Sequence, residues 1–261
     1  SRGLGDVYKR QMKYIFTLIT LFTLTFSYSQ SYQTYTMHFV QVEGDLNAFE
    51  EREKLMQKVA QDAVDRGDIS FWAFLKRYTG TGYGTTTENQ SNYVWVQSNT
   101  DISAVMSDKN SWWGGGNIKR VLSEDEFKRA QELNKKFKRV KTTNIILEDQ
   151  VSIVLGLGSV IQFNFAQAAN PNKFIQDNIE KWKPFFQENM PKMGMLNWGV
   201  ARMISPQGAN WPNVSTWDMF DSIESLMKYR VGYPEMANVN PDGPAYLSLI
   251  HISEPTRQKP I

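Results

Sequence analysis

The 261-residue sequence contains no cysteine. That excludes disulfides, thiolate metal sites and a cysteine nucleophile. Histidine occurs only at His38 and His251, so a Ser/His/Asp arrangement has almost nothing to draw on. No cluster of histidines and carboxylates has metal-ligand spacing, and no metal site is expected. Neither sign of charge dominates, with 29 Lys plus Arg against 27 Asp plus Glu, which argues neither for nor against a polyanionic partner. The apolar run from Tyr14 to Phe26 falls short of the roughly 20 residues that span a bilayer.

What is present is globular composition, 41% hydrophobic and 13% aromatic, on a chain long enough for one large domain or two small ones. Met12 and Lys13, the apolar run, and the small residues Ser27 and Ser29 form the layout of a secretory signal peptide over 12–29, cleaved before Gln30. A periplasmic or secreted protein follows, with no membrane span after cleavage. Residues 1–11 (SRGLGDVYKRQ) and 247–261 (opening LSLIHISEPTRQ) resemble translated sequencing-adapter read-through. They are expected to be foreign, which removes His251 from any site.

The mature part repeats itself. A strand from Tyr35 to Val42 precedes a helix capped by Asp45, with apolar positions Leu46, Phe49, Met56, Val59, Ala60 and Ala63 at helical spacing and Gly67 at its end. Strands Ile69 to Tyr78 and Tyr93 to Val96 follow across a turn through Gly80, Gly82 and Gly84. Asp101 then opens a short helix with Ile102, Val105 and Met106 on one side. From Ser159 the same order returns: the alternating strand Val160 to Phe165, the cap Asn170-Pro171, and a stripe of Ile175, Ile179, Trp182, Phe186 and Met190 closed by Gly194. Strands Met195 to Ile204 and Val214 to Met219 come next, then a capping box of Asp221 with Glu224 ahead of Ile223, Leu226 and Met227. Phe49 and Phe174 lie 125 apart, Trp72 and Trp198 126, Met106 and Met227 121, and Lys76 falls opposite Arg202.

Each unit reads strand, helix, strand, strand, helix, the opening of a ferredoxin-like module. The fold class is α+β: tandem ferredoxin-like βαββα(β) repeats, 34–155 and 159–246, packed sheet to sheet as a pseudo-dimeric barrel. Residues 144–155 are expected to close the first copy, and the second is expected to be truncated. A monomer carrying an internal pseudo-dimer follows. This order of elements, with Trp72 and Trp198, resembles the dimeric α+β barrel superfamily (antibiotic-biosynthesis-monooxygenase-like) in a fused two-copy form, over roughly residues 34–236. The resemblance implies pockets between each sheet and its helices. It implies cofactor-free monooxygenase or haem-linked chemistry as one possibility among members, and it places no catalytic residue here.

Between the copies, a helix over 123–141 is expected, opened by the capping box Ser123 with Glu126. Its cations Lys135, Lys136, Lys138 and Arg139 complement the helix dipole rather than mark a nucleic-acid patch. No nucleic-acid partner is expected.

Candidate site residues are few. His38, with Gln162 near its place in the second copy, is a weak candidate for a general base or haem ligand; no cofactor is required by the sequence. Trp72 and Lys76 alternate onto one strand face, as do Trp198 and Arg202, and these four are candidates for lining a pocket. Trp112 and Trp113, ahead of three glycines, suggest a lid or binding edge. Two functions follow. One is an exported binding protein for a small aromatic or anionic ligand, without a demonstrable catalytic motif. The other is a cofactor-free or haem-linked monooxygenase-like enzyme on a small aromatic substrate.

Overall fold

A computed structural model describes residues 34–77, 91–100 and 102–231. The expected signal peptide, the flanking stretches 1–11 and 247–261, and the glycine turn at 80–84 lie outside the described residues.

The first copy runs β1 (Thr34–Gly44), α1 (Leu46–Asp65), β2 (Phe71–Lys76), β3 (Tyr93–Asn99), α2 (Ile102–Val105), α3 (Gly115–Val121), α4 (Glu124–Asn134) and β4 (Phe137–Val154). The second runs β5 (Val160–Ala166), α5 (Pro171–Asp177), α6 (Lys183–Asn189), β6 (Met195–Ser205), β7 (Val214–Phe220) and α7 (Ile223–Arg230). All strands join one antiparallel sheet in the order β2-β3-β1-β4-β6-β7-β5. The order β4-β1-β3-β2 is the complete ferredoxin-like arrangement, and β5-β7-β6 repeats its first three strands. The fold is therefore α+β, a tandem pseudo-dimer. The two halves are joined edge to edge as well as face to face.

β4 makes that join, because its 18 residues serve two partners. Its first part pairs with β1 down to Glu148, and its second with β6 from Ile146 onward. The sheet then curls so that its inner face closes on itself. Tyr35 stands edge-on to Trp217 with ring centroids 5.4 Å apart, and Phe39 meets Phe165 at 6.0 Å. Met37, Val96, Ile145, Leu147, Ala201 and Met203 complete this inner core. The outer face is covered by α1, α3 and α4 over the first copy and by α5, α6 and α7 over the second. Among the described residues, β2 and β5 each keep one unpaired edge.

Local signals hold at most ends. The Asp45 carboxylate accepts from the Ala48 amide at 3.0 Å, Asn170 caps through the Lys173 amide, and Gly67 sits at φ 72°. Several expectations need correction. The helix expected over 123–141 ends at Asn134, and Lys138 and Arg139 lie on β4. A buried Phe137 and a β-branched run beyond it satisfy the open edge of β1, which is worth more than two further helical turns of exposed lysines. The last helix is capped by Ser222, whose hydroxyl accepts from the Ser225 amide, so Asp221 stands one residue outside it. Ile102 and Met106 are solvent-exposed, and only Val105 of that trio is buried. Ile179 also leaves its stripe. Pro184 has no amide to offer the Glu180 carbonyl, so the chain makes a π turn over Asn178–Trp182, in which the Lys183 amide reaches Asn178 instead.

Candidate functional site

Strand alternation sorts the candidate residues by face. Trp72, Phe74 and Lys76 face the helices, whereas Phe71, Ala73 and Leu75 face the inner core. Trp198, Val200 and Arg202 repeat this, with Ala201 facing inward. The shared face inferred from spacing is present in both copies. Lys76 Nζ donates to Glu50 Oε1 of α1 at 2.7 Å, and Arg202 Nη2 donates to Asn172 Oδ1 of α5 at 2.6 Å. Each matched cation thus latches its strand to the first helix of its own copy. Glu50 also accepts from the Tyr93 hydroxyl at 2.7 Å, and Lys76 foremost holds its carboxyl below the usual range. Trp198 is fully buried against Phe186, with ring centroids 4.9 Å apart.

Trp112 and Trp113 part company. Trp112 is buried and donates from Nε1 to Gln97 Oε1 at 3.1 Å, while Trp113 is 59% exposed. His38 also lies on the helix side. Its Nδ1 meets Asn144 Oδ1 at 2.8 Å, and its ring stands edge-on to Trp95. Burial lowers its pKa, with Asn144 opposing. Sheet register matches it to Asn164 rather than Gln162, since His38 opposes Trp95 on β3 and Asn164 opposes Thr216 on β7.

The inner face holds a small apolar cavity of about 60 Å³ between β2 and β5, reached by Phe71, Leu75, Ile161, Phe163 and Trp217. Gly199 makes room there, because a Cβ on it would stand 2.0 Å from Trp217 Cζ2. The Trp217 Nε1 donates to Asn197 Oδ1 at 2.9 Å. His38 lies on the opposite side of the sheet from this cavity. It therefore cannot ligate a haem held there, and the cavity is far below the 300 Å³ or so at which small-molecule pockets begin.

At one end of the curled sheet a larger cleft of about 440 Å³ opens. Phe39, Ile145, Phe165 and Trp211 supply apolar walls, and Arg77 and Lys141 supply two cations. Trp211 and Pro212 are shared with an adjoining hollow of about 300 Å³ that contains Arg202. The position of Arg77 just past β2 and of Lys141 just after the β4 bulge at Val140 gave no sequence signal. Each becomes a mouth residue only because the sheet curls. Among the described residues no group of three or more His, Asp or Glu side chains could hold a metal. No described helix is long and apolar enough to cross a membrane.

No protein-family model matches the chain, and no curated protein sequence matches it with significance. Among solved structures, it is similar to an anthrone oxidase-like protein (9% identity, TM-score 0.49, 87% of this chain and 89% of that one). A proposed monooxygenase from Lactobacillus acidophilus NCFM aligns at 13% identity and TM-score 0.46, over 79% and 86%. A heme-binding protein from Thermus thermophilus aligns at 9% and TM-score 0.40, over 78% and 83%. The fold assignment rests on the chain's own strand order.

Proposed function

We propose that this chain is an exported binding protein for a small flat molecule carrying an anionic group, taken into the cleft at the end of the curled sheet. The observation that carries the reading is the pairing of Phe39, Phe165 and Trp211 with Arg77 and Lys141 around one opening. Rings of that kind offer contact area for a flat body, and about 150 Å² of buried apolar surface corresponds to about 4 kcal/mol of gross transfer free energy. Two cations in a water-accessible cleft add about 1 kcal/mol each and fix which end of the ligand points outward. Among the described residues its charged lining groups are Arg77 and Lys141, which suit an anion. The export reading rests on Lys13, the apolar run Tyr14 to Phe26, and Ser27 with Ser29.

The test is titration of the purified chain with 1-naphthoate and with neutral naphthalene-methanol, followed by tryptophan fluorescence. Saturable binding that prefers the carboxylate, and that weakens at least tenfold in Arg77→Gln/Lys141→Gln, supports the reading. Equal affinity for both probes, or an unchanged affinity in the double variant, overturns it.

A further inference from the structure

A second constellation lies on the outer face of the sheet and is independent of the end cleft. The helices of the first copy stop short of β4, so its outward residues Arg139, Thr142 and Asn144 remain exposed. A register shift between Gln41 and Val42 of β1 turns Arg139 onto that face, opposite the buried Val42. Below this opening, Trp95 of β3 acts as a hub. Its Nε1 donates to Glu53 Oε2 at 2.8 Å, Arg139 Cζ stands 5.9 Å from its ring centroid, and His38 approaches its edge at 6.5 Å.

Donors here outnumber acceptors. Glu53 is 3% exposed in its side chain, and both of its oxygens are already used, one by Trp95 and one by Arg52 Nη1 at 2.5 Å. The Nε of Arg52 is buried with no hydrogen-bond partner. Arg139 stacks on the indole face and, among the described residues, makes no salt bridge, the Glu53 carboxylate acting on it only at longer range. His38 spends its Nδ1–H on Asn144 Oδ1 and stands at the edge of the cluster as a neighbour rather than as a further donor. Two guanidinium groups near enough to repel each other share one carboxylate, and a buried donor left unmade costs about 1–3 kcal/mol. A small oxyanion satisfies this arrangement, since a planar fork of N–H donors matches carboxylate or phosphate oxygens.

We propose that Arg52 and Arg139, set around Trp95 with His38 at the edge, form a binding site for a small oxyanion, carboxylate or phosphate, on the outer face of β1, β3 and β4. Arg139 stands at the rim and admits the anion. Arg52 meets it from below, Glu53 holds Arg52 in place without neutralising both arginines, and His38 lies near enough to report occupancy.

The test uses the full chain carrying Arg77→Gln/Lys141→Gln, so that failure of the end cleft and failure of this site are read separately. Acetate and inorganic phosphate are titrated in turn while the ring proton signals of the two histidines are followed by NMR, with His38 assigned through His38→Gln and His251 as internal reference. A saturable shift of the His38 signal with either anion, lost or weakened at least tenfold in Arg139→Gln, is expected, and which anion saturates identifies the source. Among the described residues Arg139 holds no ion pair, so its variant keeps the test intact even if Arg52→Gln unfolds. Equal drift of both histidines, or a shift unchanged in Arg139→Gln, overturns the proposal.

Discussion

Asp149 is a carboxyl group placed where a carboxylate is costly, and that makes stability fall as pH rises. It follows Leu147 and Ile145 on the inner side of β4 and opposes Ala201 of β6. Neither of its oxygens has a hydrogen-bond partner of normal geometry. Burial, outweighing the neighbouring Ser152, pushes its pKa from 3.8 up to about 7. The folded chain therefore holds a proton that the unfolded chain gives up near pH 4. Stability is full below that pH and is lost as pH rises toward 7, by up to about 4 kcal/mol.

Asp218 has the same sign. Buried on β7 and bonded by Asn164 Nδ2 at 2.8 Å, it is pushed to about 6, so most of its loss is complete by pH 6. Between pH 6 and 8 Asp149 accounts for about 1.3 kcal/mol of further loss and Asp218 for about 0.4 kcal/mol. Urea unfolding followed by tryptophan fluorescence at pH 4.5, 6 and 8 reads these slopes. Asp149→Asn should flatten the upper interval, gain about 2 kcal/mol at pH 8, and gain nothing at pH 4.5, where the amide is itself unpartnered. Parallel pH profiles for the wild type and Asp149→Asn would refute the placement of this carboxyl against the apolar inner face.

Gly199→Ala should cost about 3 kcal/mol or more, because its new Cβ meets the Trp217 ring at 2.0 Å; a melting temperature within 2 °C or so of wild type would contradict that packing. Lys76→Met should change stability by less than about 1 kcal/mol, since the Lys76–Glu50 pair is largely exposed. It should also leave naphthoate affinity unchanged if the end cleft is the site. Ser123→Ala removes the hydroxyl that accepts from the Glu126 amide at 3.3 Å while Glu126 Oε2 accepts from the Ser123 amide at 3.1 Å. It should lower stability by about 1 kcal/mol in denaturant titration, and Ser123→Asp should restore it.

The duplication, the order of elements and the faces of β2 and β6 were legible in the residues. Each of these is a short-range property. A two-residue period puts Trp72 and Lys76 together on any strand, and Asp45, Gly67 and Asn170-Pro171 punctuate helices by chemistry acting within a few residues. What those faces touch was not legible. Lys76 and Arg202 reach Glu50 and Asn172, and Arg202 also borders the hollow beside Trp211; these partners follow from helix placement over the sheet, which is set by packing rather than by spacing.

The sequence by itself therefore determined two α+β modules and their internal patterning, since backbone sterics and apolar periodicity decide those locally. The tertiary structure alone decided that β4 extends to join both halves, that Arg139 turns outward through the bulge, and that Arg77, Lys141 and Trp211 meet at one mouth. Those positions are far apart along the chain. Only the pairing of β4 with both β1 and β6, and the curl that buries Tyr35 against Trp217, brings them within reach of one another.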